Sequence, residues 1–171
     1  MNKTIIKVLV LLLTFFLFKS ISAQPVILED IKNFNQVSKS LASAGMPSTS
    51  DLTLLNQNGY QHVITLLPGN YQEEESTVEA LGMSFDQIEV DWGNPKLKDF
   101  ERFVELMEKY KTDKSIVHCY MNYRASAFAY LYQVTQQGVS EEKAQETMFE
   151  VWQPEDTWFD FINDVKAHYQ K

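Results

Sequence analysis

Short apolar runs and helical stripes alternate along this chain. Tyr60 to Leu67 is a compact β-branched run stopped by Pro68-Gly69, and it predicts a buried strand. Met83 to Val90 alternates loosely and predicts a second strand, with Asp91-Trp92-Gly93 turning beyond it. Ser115 to His118 is a third apolar run. Val37 to Ala42 reads as a further strand leading to Gly45-Met46-Pro47, after a weakly patterned lead-in or short helix over Leu28–Val37.

Helical signals fill the intervals. Ser48 and Asp51 have capping-box spacing ahead of Leu52, Leu54 and Leu55, and Asn58-Gly59 closes that helix. Glu73-Glu74-Glu75 suits a solvated helix start, where negative charge offsets the macrodipole, and Gly82 ends it. Asn94 is a candidate N-cap with Pro95 at the first helical position, followed by the stripe Leu97, Phe100, Phe103, Val104 and Met107. Ala125-Ser126-Ala127-Phe128-Ala129 opens a small-residue helix that Gly138 stops. Ser140 caps another to about Val151. The last begins at Pro154 and carries Trp158, Phe161, Ile162 and Val165 on one face.

Strands alternating with helices predict an α/β single domain with a small, mostly parallel sheet flanked by helices. In such sheets ligands bind beyond the C-terminal strand ends, where Asp91 and Cys119 both fall. No internal repeat or linker divides the chain.

The first residues change the domain bounds. Lys3 and Lys7 precede an apolar run from Val8 to Phe18, and Ile21-Ser22-Ala23 supplies a small residue for cleavage. Residues 1–23 are expected to be a signal peptide and 24–171 the folded domain, exported to a periplasm or secreted, with no stable membrane association after cleavage. Removing Lys3, Lys7 and Lys19 from the 15 basic residues leaves 12 against 23 acidic ones, a net charge near −11. That balance argues against nucleic acid as a partner, because phosphate backbones need positive surface. Three scattered histidines and one cysteine have no metal-ligand spacing, so no metal or other cofactor is expected. Oligomeric state leaves no mark in the sequence.

The chemistry concentrates in Lys114 to Ser126. An apolar run ends in the only cysteine, Cys119, and Arg124 follows at the start of a helix. Amide groups at a helix N-terminus attract an anion, Arg grips an oxyanion with two hydrogen bonds, and the same positive end favours a thiolate. A cysteine nucleophile over an anion-binding loop is the reading these residue types support.

Val117-His118-Cys119 through Arg124 resembles the cysteine-dependent protein tyrosine phosphatases of the compact, dual-specificity-like class, and among them a bacterial exported group. Ala44-Gly45-Met46-Pro47-Ser48, Val63 to Leu67, Val90-Asp91-Trp92 with Asn94-Pro95, and Val151-Trp152-Gln153-Pro154 with Trp158 extend the resemblance over most of the chain. The resemblance implies a tyrosine-phosphatase-like fold that hydrolyses a phosphomonoester, either phosphotyrosine in a phosphoprotein or a small phosphorylated molecule, through a cysteinyl-phosphate. Cys119 would be the nucleophile, Arg124 the phosphate clamp and Asp91 the general acid. Tyr120, Met121, Asn122, Tyr123 and Ser126 would surround the substrate, His118 would hold the loop and thiolate, and Ser126 would donate to the sulfur.

One count departs from that family. Its motif has five residues between Cys and Arg with a Gly inside, whereas here four intervene: Tyr120, Met121, Asn122 and Tyr123. Ser126 keeps the spacing of the phosphatase hydroxyl, so one reading displaces Arg124 by one residue, about 100° on a helix. Asn122 stands where the loop Gly would be, and Asn tolerates left-handed backbone next best. The other reading shortens the loop, as in rhodanese-like sulfurtransferases. A phosphate or anion binder of the same fold, impaired in turnover, is the remaining alternative.

Overall fold

A computed structural model describes residues 27–170; the expected signal segment lies outside them. Its centre is a five-stranded sheet in the order β1-β2-β5-β3-β4. The strands are β1 (Asn35–Gln36), β2 (Leu41–Ala44), β3 (Tyr60–Thr65), β4 (Ser84–Gln87) and β5 (Lys114–His118). β1 is antiparallel to β2 and the other pairs are parallel. The tyrosine-phosphatase-like α/β architecture expected from the alternating pattern is thus present as a single domain. Six α-helices cover the sheet among the described residues: α1 (Thr49–Gln57), α2 (Gln72–Ala80), α3 (Leu97–Lys109), α4 (Tyr123–Gln136), α5 (Glu141–Phe149) and α6 (Asp156–Tyr169). None is long and apolar enough to cross a membrane.

The two sheet faces have separate cores. Leu52 and Leu55 of α1 and Val78 of α2 pack with Val63 and Ile116 on one side. The other side holds Phe100 and Phe103 of α3, Phe128 of α4, and Trp158 and Phe161 of α6, together with Val117 and Cys119. β5 is the central strand, buried on both faces, which is why Ser115 to His118 reads as a continuous run without alternation.

Several element limits move. The strand expected over Val37–Ala42 is instead a tight hairpin, in which Val37 and Ser38 both donate to the Leu41 carbonyl and β2 runs on to Ala44. The lead-in over Leu28–Val37 contains a 3-10 turn, Leu28–Asp30, and the short β1, but no α-helix. β3 and β4 stop at Thr65 and Gln87, short of Leu67 and Val90, because their mutual pairing ends there. α3 begins at Leu97, not Pro95: Asp99 accepts from the Lys96 amide and fixes the start two residues later. α6 likewise begins at Asp156, after an extended Glu155. The Ser48–Asp51 capping box and the Ser140 cap form as their spacing requires.

Candidate functional site

β5 delivers Cys119 to the C-terminal edge of the sheet between two neighbours. The Cys119 amide donates to the Ala44 carbonyl of β2 at 3.3 Å, and the Leu66 amide donates to the His118 carbonyl at 2.9 Å. The thiol is 1% exposed and has no disulfide partner. Four residues later the chain is helical, with Asn122 as N-cap of α4. The amides of Tyr120, Met121, Tyr123, Arg124 and Ala125 have no backbone acceptor among the described residues. Amides without an acceptor beside a thiol, at the start of a 14-residue helix, have the chemistry to hold an anion.

The loop is held from outside by the segment before β1. Asn122 takes φ 70° and is fully buried; its side-chain amide donates to the Asn33 carbonyl at 2.7 Å. Asn33, itself at φ 48°, donates back to the Met121 carbonyl at 3.0 Å. Two left-handed asparagines therefore tie the two segments together, one bonding the Asn33 carbonyl and the other the Met121 carbonyl. Gly45 permits the approach, since a Cβ there would sit 2.9 Å from the Lys32 side chain and 3.0 Å from its carbonyl. Met121 then bridges to Gly45, and Met46 donates to the Tyr120 carbonyl at 3.4 Å.

Arg124 lies in the first turn of α4, so the helix sets its direction. Its guanidinium carbon rests 5.2 Å from the centre of the Trp92 ring, and its buried Nε has no hydrogen-bond partner. Trp92 is 43% exposed and lies within 5.6 Å, between ring centres, of both Trp152 and Trp158. The Trp158 indole donates to the Trp92 carbonyl at 3.0 Å, which ties the Asp91-Trp92-Gly93 turn to α6. Asp91 itself is exposed, and its carboxylate accepts from the Gly93 amide at 2.7 Å. Its backbone is brought to the loop through Trp92, while its side chain closes the turn.

Tyr120 projects outward at 60% exposure with the Lys32 ammonium 4.4 Å above its ring. Tyr123 instead stacks on Trp152, ring centres 4.9 Å apart. Ser126 does not donate to sulfur as expected. Its hydroxyl donates to the Tyr123 carbonyl at 3.1 Å and accepts from the Trp152 indole at 3.1 Å. Helix geometry explains this, because a serine hydroxyl readily bonds a carbonyl three residues back.

Two participants were not legible in the sequence. Glu74, read as part of a solvated helix start, turns inward and lies 2.8 Å from His118, with side chains 8% and 0% exposed. The signal was present but faint: Glu74 is four residues before the fully buried Val78 and so shares its face of α2. Tyr71 lies over the same region. Burial, with the negative charge of Glu74, pushes its hydroxyl above the ordinary value; Arg124 pulls it down and the neighbouring Cys119 adds to the rise. Clefts of ≈ 420 Å³, lined by Met46, Asn70, Tyr71 and Glu74, and ≈ 460 Å³, lined by Trp92, Tyr123 and Trp152, open on residues that flank the loop.

No protein-family model matches the chain, and no curated protein does. Among solved structures, a DUF442 protein of Shewanella putrefaciens CN-32, described as a proposed phosphatase, is 35% identical. It covers 83% of this chain and 96% of its own, with TM-score 0.74. The core catalytic domain of the PP-IP phosphatase SIW14 of S. cerevisiae is 15% identical, with coverage of 82% and 92% and TM-score 0.68. Kinase associated phosphatase is 14% identical, with coverage of 86% and 97% and TM-score 0.65. These last two show likeness of fold.

Proposed function

The chain belongs to the DUF442 family within the cysteine-dependent tyrosine-phosphatase superfamily, and from that premise we propose that it hydrolyses a phosphomonoester through a cysteinyl-phosphate. A phosphatase-like function in general follows from the family; the residues and steps here are our reading. One observation carries it. The buried Cys119 stands at the C-terminal end of the central strand, ringed by unpaired loop amides and followed by a helix start.

In this reading the Cys119 thiolate attacks phosphorus as the bond to the ester oxygen breaks, giving phosphocysteine and the alcohol. The loop amides hold the equatorial oxygens, so most of the barrier reduction is positioning and charge stabilisation. Arg124 leaves the Trp92 face to grip the phosphoryl group, its unpartnered Nε being available for that bond. Asp91 protonates the leaving oxygen once the Gly93 contact opens. Water then hydrolyses the phosphocysteine and restores the thiol. An exported, acidic protein is expected to meet small phosphorylated molecules or surface phosphoproteins, not anionic membranes.

The test is hydrolysis of a generic aryl phosphate with chelator present, wild type against Cys119→Ser. Turnover that Cys119→Ser abolishes supports the mechanism; turnover that survives the substitution refutes it. Asp91→Asn should slow poor leaving groups more than good ones. A second reading, an anion binder without turnover, is favoured by the resting positions of Arg124 on Trp92 and Asp91 on Gly93. It predicts that inorganic phosphate raises the melting temperature while no aryl phosphate is hydrolysed.

A further inference from the structure

The three tryptophans of the chain, Trp92, Trp152 and Trp158, all meet beside the Cys119 loop, with ring centres 5.2, 5.6 and 6.1 Å apart. Tyr123 stacks on Trp152 at 4.9 Å. Trp158 is buried, Trp152 half-buried and Trp92 open. Two indole N–H groups are already committed, Trp152 to the Ser126 hydroxyl and Trp158 to the Trp92 carbonyl, so these two rings offer a guest surface and not donors. Together the rings line a cleft of ≈ 460 Å³, a size suited to a small molecule.

Two features define the guest. The charged side chains of the lining are Glu155 and Asp156, with no lysine or arginine among its residues. Both are exposed, and the Glu155 carboxylate is not spent on capping α6. The second feature is a cation already resting on Trp92, the Arg124 guanidinium, 5.2 Å from the ring centre. Indole is the best of the aromatic rings at holding a cation. When Arg124 moves to a phosphoryl group, that ring is left without one. An alkylammonium group fits the vacated place, held by the ring face and by the charge of the two carboxylates. A neutral flat ring gains nothing from those carboxylates.

Tyr123 joins this cleft to the loop, since it lines the one and directly precedes Arg124 in the other. Resting on the reading of Cys119 as nucleophile toward a phosphomonoester, we propose that the substrate is the phosphate ester of a short quaternary amino alcohol. Its ammonium sits against Trp92 and Trp152, facing Glu155 and Asp156. Two cations exclude each other from one ring face, so the substrate's ammonium takes the place that Arg124 leaves as the phosphoryl group draws the guanidinium away. Thiolate attack breaks the bond from phosphorus to the ester oxygen, which takes its proton from Asp91 and departs as the amino alcohol. Water then cleaves the phosphocysteine to inorganic phosphate and the thiol.

The probes are phosphocholine and its neutral isostere, in which carbon replaces the nitrogen. Every tryptophan lies at the cleft, so intrinsic fluorescence reads binding there directly. In Cys119→Ser, which forms no phosphocysteine, phosphocholine should bind about tenfold more tightly than the isostere. Adding Trp92→Leu, or Glu155→Gln with Asp156→Asn, should remove that preference. All three positions are exposed, and Asn accepts the φ of 45° at position 156. Equal affinity for the two esters, or a preference that survives either set of substitutions, overturns the proposal. Choline chloride and its neutral alcohol isostere, titrated into wild type, read the cleft without the loop. Choline preference with no gain from the phosphate overturns the proposal through the phosphatase reading, whereas no choline preference overturns it through the cleft. Aryl phosphate turnover without any preference for phosphocholine overturns this substrate class and leaves the phosphatase reading standing.

Discussion

Asn122→Ala should destabilise the protein more than Asn122→Gly, and the difference measures the backbone strain at the loop. Asn122 sits at φ 70° with 0% exposure and donates one hydrogen bond of 2.7 Å to the Asn33 carbonyl. Losing that bond costs about 1 kcal/mol, and the partner carbonyl is left without its donor. Alanine then has to hold a left-handed conformation at a further cost of roughly 1–2 kcal/mol. The total is about 2–3 kcal/mol, which lowers Tm by about 5–10 °C in a domain of this size. Glycine loses the same hydrogen bond but adopts the conformation freely, so it should lie about 1 kcal/mol closer to wild type. Urea denaturation of the three proteins, with equal slopes, supplies the comparison. Equal midpoints for Ala and Gly would refute the claim that the left-handed backbone is what the loop demands at this position. Anion affinity should fall in both variants, since the loop loses the Asn122 half of its tie to Asn33 and keeps only the Asn33 bond to the Met121 carbonyl.

Two further outcomes follow from the packing. Phe128 is fully buried, with ring centres 5.7 Å from both Phe100 and Phe103 and 5.9 Å from Phe161. Phe128→Ala removes the ring that joins α3, α4 and α6, and should cost about 3–5 kcal/mol by chemical denaturation; a loss under 1 kcal/mol would mean that these helices do not share one core. Burial raises the Tyr60 hydroxyl above its ordinary value of 10.0, the bond to Gln36 acting the other way. The folded state thus prefers neutral Tyr60, so its contribution is intact below pH 10.0 and is lost as pH rises through the folded value. Tyr60→Phe should flatten the alkaline fall in urea midpoint; an unchanged slope would refute that assignment.

Local chemistry made much of the architecture readable. The Ser48–Asp51 box, the glycines that end helices, and the stripes at Phe100–Phe103 and Trp158–Phe161 act within a few residues, and all formed. Strand limits were harder to place, because they depend on where a partner strand stops. Val37 and Ser38 turn back on Leu41 instead of joining a strand, and β4 ends with its pairing at Gln87. The side-chain roles divide the same way. Cys119 at a strand end followed by a helix start was visible in the sequence, whereas the direction of Ser126 toward Tyr123 and Trp152 was not.

The sequence by itself determined an α/β alternation, the thiol at the C-terminal end of a strand, and an asparagine where the backbone turns left-handed. Those features arise from side chains acting on their own backbone. Tertiary structure decided which distant groups the loop meets: Asn33 from the lead-in, Trp92 under the Arg124 guanidinium, and Glu74 against His118. A charge three residues into a helix can be solvated or buried with equal local propensity. Only the packing of α2 on the sheet turned Glu74 inward, next to the strand that carries the cysteine.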